Sequence, residues 1–282
     1  MRVLLVPNTA NPRALAAAVE LSAWLQSAGL VPALTPEDAE AAGLAGFAVS
    51  RSELGDLALA VALGGDGTIL KAVHILGEST VPVLGVNFGR LGFLSGAHAE
   101  NMRQAIEDAL AGDARIEHRV TLTADIVMEG RSVGRYRALN EVYFGRGTSG
   151  RIVAMELKVN GRRVTGFAGD GIVVATSTGS TAYSLSAGGP IVAPDVSALV
   201  ITPVAPHALA ARSLVVGASA VIEVSLPDPV RSDACLSIDG DFVPCRQRID
   251  HVTVTQGTND VMLVRLDGRD FYDVVAEEFF GG

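Results

Sequence analysis

Cysteine is nearly absent from this sequence, with two in 282 residues. So few thiols argue against a secreted, disulfide-held scaffold and point to a reducing cytoplasm. Long apolar runs are also missing. None approaches the roughly 18 residues that span a bilayer, and the opening MRVLLVPNTANP lacks the apolar core and cleavage site of a signal peptide. Basic charge is scarce. With 22 Lys and Arg against 31 Asp and Glu, the formal net charge is −9, which argues against a nucleic-acid-binding surface. An anionic ligand stays open, because local backbone donors can outweigh global charge. Aromatics are 5% of the chain while 49% is apolar, so the core must come mainly from Ala, Val, Leu and Ile. That is enough to fold without disulfides or metal staples.

Several signatures are missing as well. There is no Gly-x-x-x-x-Gly-Lys-Ser/Thr, no Gly-x-Gly-x-x-Gly after the first strand, no Gly-x-Ser-x-Gly elbow and no paired His/Cys spacing. These absences argue against a P-loop NTPase, a dinucleotide-dependent dehydrogenase, a serine hydrolase and a zinc enzyme.

The pattern present falls into two grammars. Val3–Val6 reads as a strand before Pro7-Asn8, and Pro12 to about Ser27 reads as a helix through Leu15, Ala18, Val19, Ser22 and Leu25, stopped by Gly29. Leu57–Leu63 and Val81–Val86 read as buried strands, with helices expected over Thr68–Leu76 and around Met102–Leu110. Strands alternating with helices predict a doubly wound α/β domain over residues 1–117. From Val120 the period changes to two: Val120–Met128, Met155–Val159 before the hairpin signal Asn160-Gly161, Ile222–Leu226 and Val252–Thr255. A β-rich domain is expected over 118–258. The tail 259–282, carrying Phe271, Tyr272, Phe279 and Phe280, is expected to pack back on the first domain.

Three stretches carry chemistry. Gly64-Gly65-Asp66-Gly67-Thr68 falls where a strand meets a helix. Glycines there allow close backbone approach, and the helix end offers N–H donors to phosphate. A carboxylate suits a divalent metal or a hydroxyl nucleophile rather than phosphate; the same residues also fit a tight turn with an N-capping Asp. Asn140-Glu141 can accept from and donate to a ribose diol, or can be a plain polar strand end. Gly169–Pro190 runs from Asp170 through an apolar strand, Ile172–Ala175, into six small hydroxyl or glycine residues and then Gly188-Gly189-Pro190. Its hydroxyls are candidates for sugar, phosphate or adenine contacts, and Tyr183 for stacking on a base. His207 fits either a ligand contact or a satisfied core histidine. Cys235 and Cys245 flank a candidate hairpin, as a reduced packed pair or as a redox or metal pair.

Gly64–Thr68, Asn87–Leu94 (NFGRLGFL), Asn140-Glu141, Gly169–Pro190 and Thr202–His207 (TPVAPH) together resemble, in order and spacing, the bacterial NAD kinase family over essentially the whole chain. TGSTAYSLSAGGP is the specific part, since GGDGT also occurs in lipid kinases and phosphofructokinases. The resemblance implies phosphorylation of the adenosine ribose 2′-hydroxyl of NAD by ATP or polyphosphate, giving NADP. It further implies a phosphofructokinase/diacylglycerol-kinase-like α/β domain followed by a β-rich domain, a divalent metal ion (Mg²⁺), and a homodimer or homotetramer. By position, Asp66 matches the catalytic aspartate. Gly67, Asn140, Glu141, Asp170 and the run Thr181, Ala182, Tyr183, Ser184, Leu185, Ser186 match NAD contacts, and Lys71 and Arg151 fall where basic residues are common. Two positions depart from the family pattern: Ala168, where Arg is common, and Asp241, where Gln is common.

Overall fold

The computed structural model describes residues 1–281 except 90–91, 209–210, 230–232, 245–247 and 267–269. The chain divides into two compact units: Met1–His118 with Val261–Gly282, and Arg119–Asp260.

The first unit opens with β1 (Arg2–Pro7), α1 (Pro12–Ser27), β2 (Val31–Ala33) and the short α2 (Pro36–Ala41), then β3 (Leu57–Leu63), α3 (Asp66–Leu76), β4 (Val83–Asn87), β5 (Ala97–His98), α4 (Met102–Ala111) and β6 (Arg115–Arg119). The chain returns to it through a C-terminal strand, Val261–Arg265, and a C-terminal helix, Phe271–Phe279. The sheet runs β2-β1-β3-β4, then the C-terminal strand, then β6, with β5 beside β4. Its pairings β1–β2, β1–β3, β3–β4 and β4–C-terminal strand are parallel. Strands such as β3, LALAVAL, are buried over most of their length, as a covered parallel sheet requires.

Helix α1 is capped by Asn11, whose side chain accepts from the Arg13 N–H, with Pro12 in its first turn. Its buried face is Ala14, Ala17, Ala18, Leu21, Ser22 and Leu25, whereas Val19 is 45% exposed. Val19 thus shares the apolar period in sequence without sharing the buried face. In an Ala-rich helix several faces are apolar, and the small Ala face is the one that lets helix and sheet approach closely.

The second unit contains β7 (Leu122–Met128), β8 (Arg131–Ala138), β9 (Glu141–Arg146), β10 (Val153–Val159), β11 (Arg162–Gly169), β12 (Gly171–Thr176), the single-turn α5 (Tyr183–Ser186), β13 (Ala198–Val204), β14 (Leu214–Gly217), β15 (Ile222–Ser225), β16 (Ala234–Ile238), β17 (Asp241–Phe242) and β18 (Ile249–Gln256). They form two six-stranded sheets, β11-β10-β15-β18-β7-β8 and β14-β13-β12-β9-β16-β17. One apolar core joins them, from Leu122, Ile126 and Val252 of one sheet to Phe144, Ile172 and Ile201 of the other. Asn160 and Gly161 both take positive φ, 51° and 74°, turning β10 into β11, as a two-residue hairpin requires.

Candidate active site

In the first unit, β3 ends at Leu63 and α3 begins at Asp66, so the GGDG turn is the strand-to-helix junction. A side chain at Gly64 would meet Thr68 Oγ1 at 2.2 Å, whereas Gly65 and Gly67 face open space. Internal packing therefore demands glycine at 64 but not at 65 or 67. Those two line a recess of about 310 Å³ with Pro7, Asn8, Thr9, Thr68 and Lys71, beside a helix end whose first N–H groups have no partner within the helix. Lys71 lines this recess with its Nζ 2.5 Å from Oδ1 of buried Asp38.

Asp66 does not cap its own helix. The cap is Gly65, without a side-chain hydrogen bond, which removes the N-capping alternative. Instead the carboxylate turns to the loop after β4: Phe93 N–H donates to Oδ2 at 3.0 Å, Leu94 N–H to Oδ1 at 3.2 Å, and the Ser95 hydroxyl to Oδ1 at 3.4 Å. Burial raises its pKa, opposed by the Leu94 and Phe93 N–H groups, the Arg265 charge and the Ser95 hydroxyl. A carboxylate offers about four acceptor sites, so one on Oδ2 stays open to a further donor. A Cβ on Gly92 would sit 2.4 Å from Asp66 Oδ1; that glycine is what allows the loop to close on the carboxylate. Within NFGRLGFL, residues 90–91 lie outside the described residues.

In the second unit, a pocket of about 400 Å³ is lined by residues including Glu141, Tyr143, Arg146, Asp170, Tyr183 and Phe242. Glu141 opens β9 directly after Asn140, and the Asp239 carboxylate anchors this start by accepting the N–H groups of Leu139, Asn140 and Glu141 at 2.8, 2.7 and 2.9 Å. Glu141 is 7% exposed, and its Oε2 has no hydrogen-bond partner. Burial first, and then the Asp239 charge, push its pKa up to about 7 against the Tyr183 N–H. Tyr143 donates to the Asp170 carbonyl at 2.8 Å, and its ring lies 5.6 Å from that of Tyr183. Burial, with Cys235, Tyr183 and Asp170 nearby, pushes the Tyr143 phenol up to about 12. Arg146 pairs with Asp170 at 3.2 Å.

The hydroxyl-rich loop also bonds within the protein. Its hydroxyls turn inward: Ser180 accepts from Val192 N–H at 2.9 Å, Thr181 donates to the Thr178 carbonyl at 3.2 Å, and buried Ser184 shares a hydrogen bond with Thr202 at 2.9 Å. Ser177 donates to the Val196 carbonyl. A buried loop must satisfy its own backbone groups, and short hydroxyl side chains do so locally. Close approach is nevertheless built in, since a Cβ on Gly179 would meet the Asn140 carbonyl oxygen at 2.1 Å. Tyr183 is 40% exposed; Ala182 and Leu185 are half-buried and Ser186 is exposed.

Of the residues singled out by sequence, Glu141, Asp170 and Tyr183 come together at one pocket, and Gly67 and Lys71 at the other. Arg151 is exposed in the turn before β10, near Asp233. His207 is exposed, so it is not a core histidine; it packs by backbone, donating to the Ala168 carbonyl at 2.8 Å. Cys235 donates to the Arg146 carbonyl at 3.0 Å, while Cys245 lies outside the described residues. Arg265 and Asp239 escaped the sequence reading. Among the described residues no group of three or more His, Cys, Asp or Glu is placed to hold a metal ion, and no helix is long and apolar enough to cross a membrane.

A glycine-rich strand-to-helix junction with a donor-held aspartate, together with a β unit whose pocket holds a buried carboxylate and an exposed tyrosine, fits the class of nucleotide-dependent phosphotransferases. Family models described as the ATP-NAD kinase N-terminal and C-terminal domains match residues 3–114 and 139–266. The chain is 35% identical over 275 residues to a NAD kinase of Geotalea daltonii, covering 97% of this chain and 96% of that one. It is 38% identical over 283 residues to a NAD kinase of Chlorobium limicola, covering 100% and 97%. Among solved structures, yeast NADH kinase complexed with NADH superposes with a TM-score of 0.89 at 27% identity, covering 100% of this chain and 87% of that one. An Archaeoglobus fulgidus NAD kinase in complex with ATP shares the fold, with a TM-score of 0.75 at 24% identity, covering 100% and 98%. The chain belongs to the NAD kinase family and is a phosphotransferase.

Proposed function

We propose that this enzyme transfers the γ-phosphoryl group of ATP to the adenosine ribose 2′-hydroxyl of NAD, with Asp66 as the catalytic carboxylate. The observation that carries the acceptor side is Glu141. Its carboxylate lines an open pocket and keeps one buried oxygen without a partner, and a ribose hydroxyl is a donor such a carboxylate can accept. Tyr183 offers an exposed ring to the adenine from the same pocket, and Asp170 a further acceptor. On the phosphate side, Gly65, Gly67 and the start of α3 offer N–H groups at an open recess. Lys71 lines the same recess, paired with Asp38 through one of its three donors.

The step is an in-line displacement. The 2′-oxygen forms a bond to the γ-phosphorus, the bond from phosphorus to the ADP oxygen breaks, and the 2′-hydroxyl proton passes to Asp66. A free carboxylate with a pKa near 3.9 is a weak base for a sugar hydroxyl. In a loose transition state it need only orient the hydroxyl and accept the proton late, and burial raises Asp66 in the useful direction. Mg²⁺ bound with ATP supplies charge neutralisation at the phosphates. Polyphosphate as an alternative donor, a homodimeric or homotetrameric assembly and a cytoplasmic location complete the proposal.

The test is NADP formation from NAD and MgATP, repeated with NADH and with polyphosphate. Phosphorylation of diacylglycerol or fructose 6-phosphate instead of NAD would overturn it. Binding of NAD without any NAD-dependent release of ADP would make the protein a dinucleotide sensor.

A further inference from the structure

Behind Asp66 stands an arginine that sequence motifs do not mark. Arg265 ends the C-terminal strand, with its side chain 11% exposed. Its guanidinium donates in three directions: Nε to Glu117 Oε2 at 3.1 Å, Nη2 to the Phe93 carbonyl at 2.5 Å, and Nη1 to the Ser95 carbonyl. Such a planar fork with fixed donors can hold several acceptors at set angles.

The acceptors are what matter. The Phe93 carbonyl and the Leu94 N–H belong to one peptide plane, and that N–H donates to Asp66 Oδ1. One amide thus stands between the Arg265 cation and the Asp66 anion, carbonyl toward the cation and N–H toward the carboxylate. Charge at both ends polarises such a chain and strengthens each link. The neighbouring donors, Phe93 N–H and the Ser95 hydroxyl, come from the same segment that Arg265 grips.

Packing closes off other positions for this segment. A Cβ on Gly96 would meet the Val264 carbonyl oxygen at 2.2 Å, so loop and C-terminal strand touch backbone to backbone. The Phe93 ring lies 5.8 Å from that of Phe271 and 6.2 Å from that of Phe279 on the C-terminal helix. The loop is therefore pressed between Asp66 and the C-terminal strand and helix.

We infer that Arg265 is a positioning residue for phosphoryl transfer, acting through the Phe93–Leu94 peptide to hold Asp66 in its reactive geometry. The inference rests on the catalytic reading of Asp66. The experiment measures kcat, the KM for NAD and NAD affinity for Arg265→Met, Arg265→Lys and Asp66→Asn, with folding checked by circular dichroism. Misplacing a reacting group costs rate rather than affinity, so Arg265→Met should lower kcat by about tenfold or more while NAD affinity stays within about twofold. Lysine keeps the charge but its compact ammonium cannot span acceptors set apart by a planar fork, so Arg265→Lys should lie between Arg265→Met and the native enzyme with the same unchanged affinity. A folded Arg265→Met with native kcat, or equal losses in kcat and NAD affinity, would overturn the inference. If Arg265→Met does not fold, Arg265→Lys decides: native kcat in that variant overturns it. A native Arg265→Met beside an inactive Asp66→Asn defeats only the inference, whereas an active Asp66→Asn defeats the reading beneath it.

Discussion

Asp66 and Glu141 are both carboxylates withdrawn from water, yet their surroundings are opposite. Asp66 is met by two backbone N–H groups and a hydroxyl, with Arg265 one peptide away. Glu141 has the Tyr183 N–H on one side, a like charge at Asp239 on the other, and an oxygen with no partner. Burial raises both, but Glu141 reaches about 7. The contrast separates two tasks. In the proposed function, Asp66 is the pre-satisfied, fixed carboxylate at the reacting atom and Glu141 the one left short of donors for the ligand to supply.

Removing the carboxylate proposed to react tests this contrast most severely. Asp66→Asn should lower kcat about 10³-fold, within the range for a lost acid–base group, and steady-state turnover measures it. Next comes pH. Because the folded-state pKa of Glu141 is raised from 4.5 to about 7, the stability it contributes is full below 4.5 and is lost as pH rises through about 7. That amounts to about 3 kcal/mol between the two limits. Denaturant titration of the ligand-free enzyme at pH 5 and pH 8 should show this loss, and Glu141→Gln should remove most of it.

Displacing Asp66 without deleting it is the third test. Gly92→Ala puts a methyl group 2.4 Å from Oδ1; relieving that overlap takes a shift of about 1 Å, which should cost about 10²-fold in kcat with NAD affinity retained. The smallest effect is expected at the anchor of the other site. Asp239→Asn keeps one acceptor oxygen for three N–H groups and removes the charge that raises Glu141. It should destabilise the protein by about 1–3 kcal/mol and shift the pH transition of the ligand-free enzyme downward.

Local chemistry made much of the fold legible. Buried strands announce themselves in LALAVAL and in Ile172–Ala175, the hairpin in Asn160-Gly161, and α1 in its Asn11-Pro12 start. Strand β8, RSVGRYRA, gave no such signal, because it is an edge strand with mostly outward, polar residues. At the site, GGDG, Asn140-Glu141 and Tyr183 stand out because glycines and paired polar groups at strand ends are locally unusual. Arg265 and Asp239 do not, since their meaning depends on partners 172 and about 100 residues away. In the hydroxyl loop the sequence does not show which hydroxyls are already engaged within the protein: Thr181 and Ser180 bond to backbone groups and Ser184 to the Thr202 hydroxyl.

The division of labour between the two carboxylates is tested most directly by calorimetric titration of NAD into Asp66→Asn and Glu141→Gln side by side at pH 8. Asp66→Asn should bind within about threefold of the native enzyme, and Glu141→Gln about tenfold or more weakly, as expected for losing hydrogen bonds to a charged acceptor. Equal loss of NAD binding in both variants, or loss in Asp66→Asn alone, would contradict it.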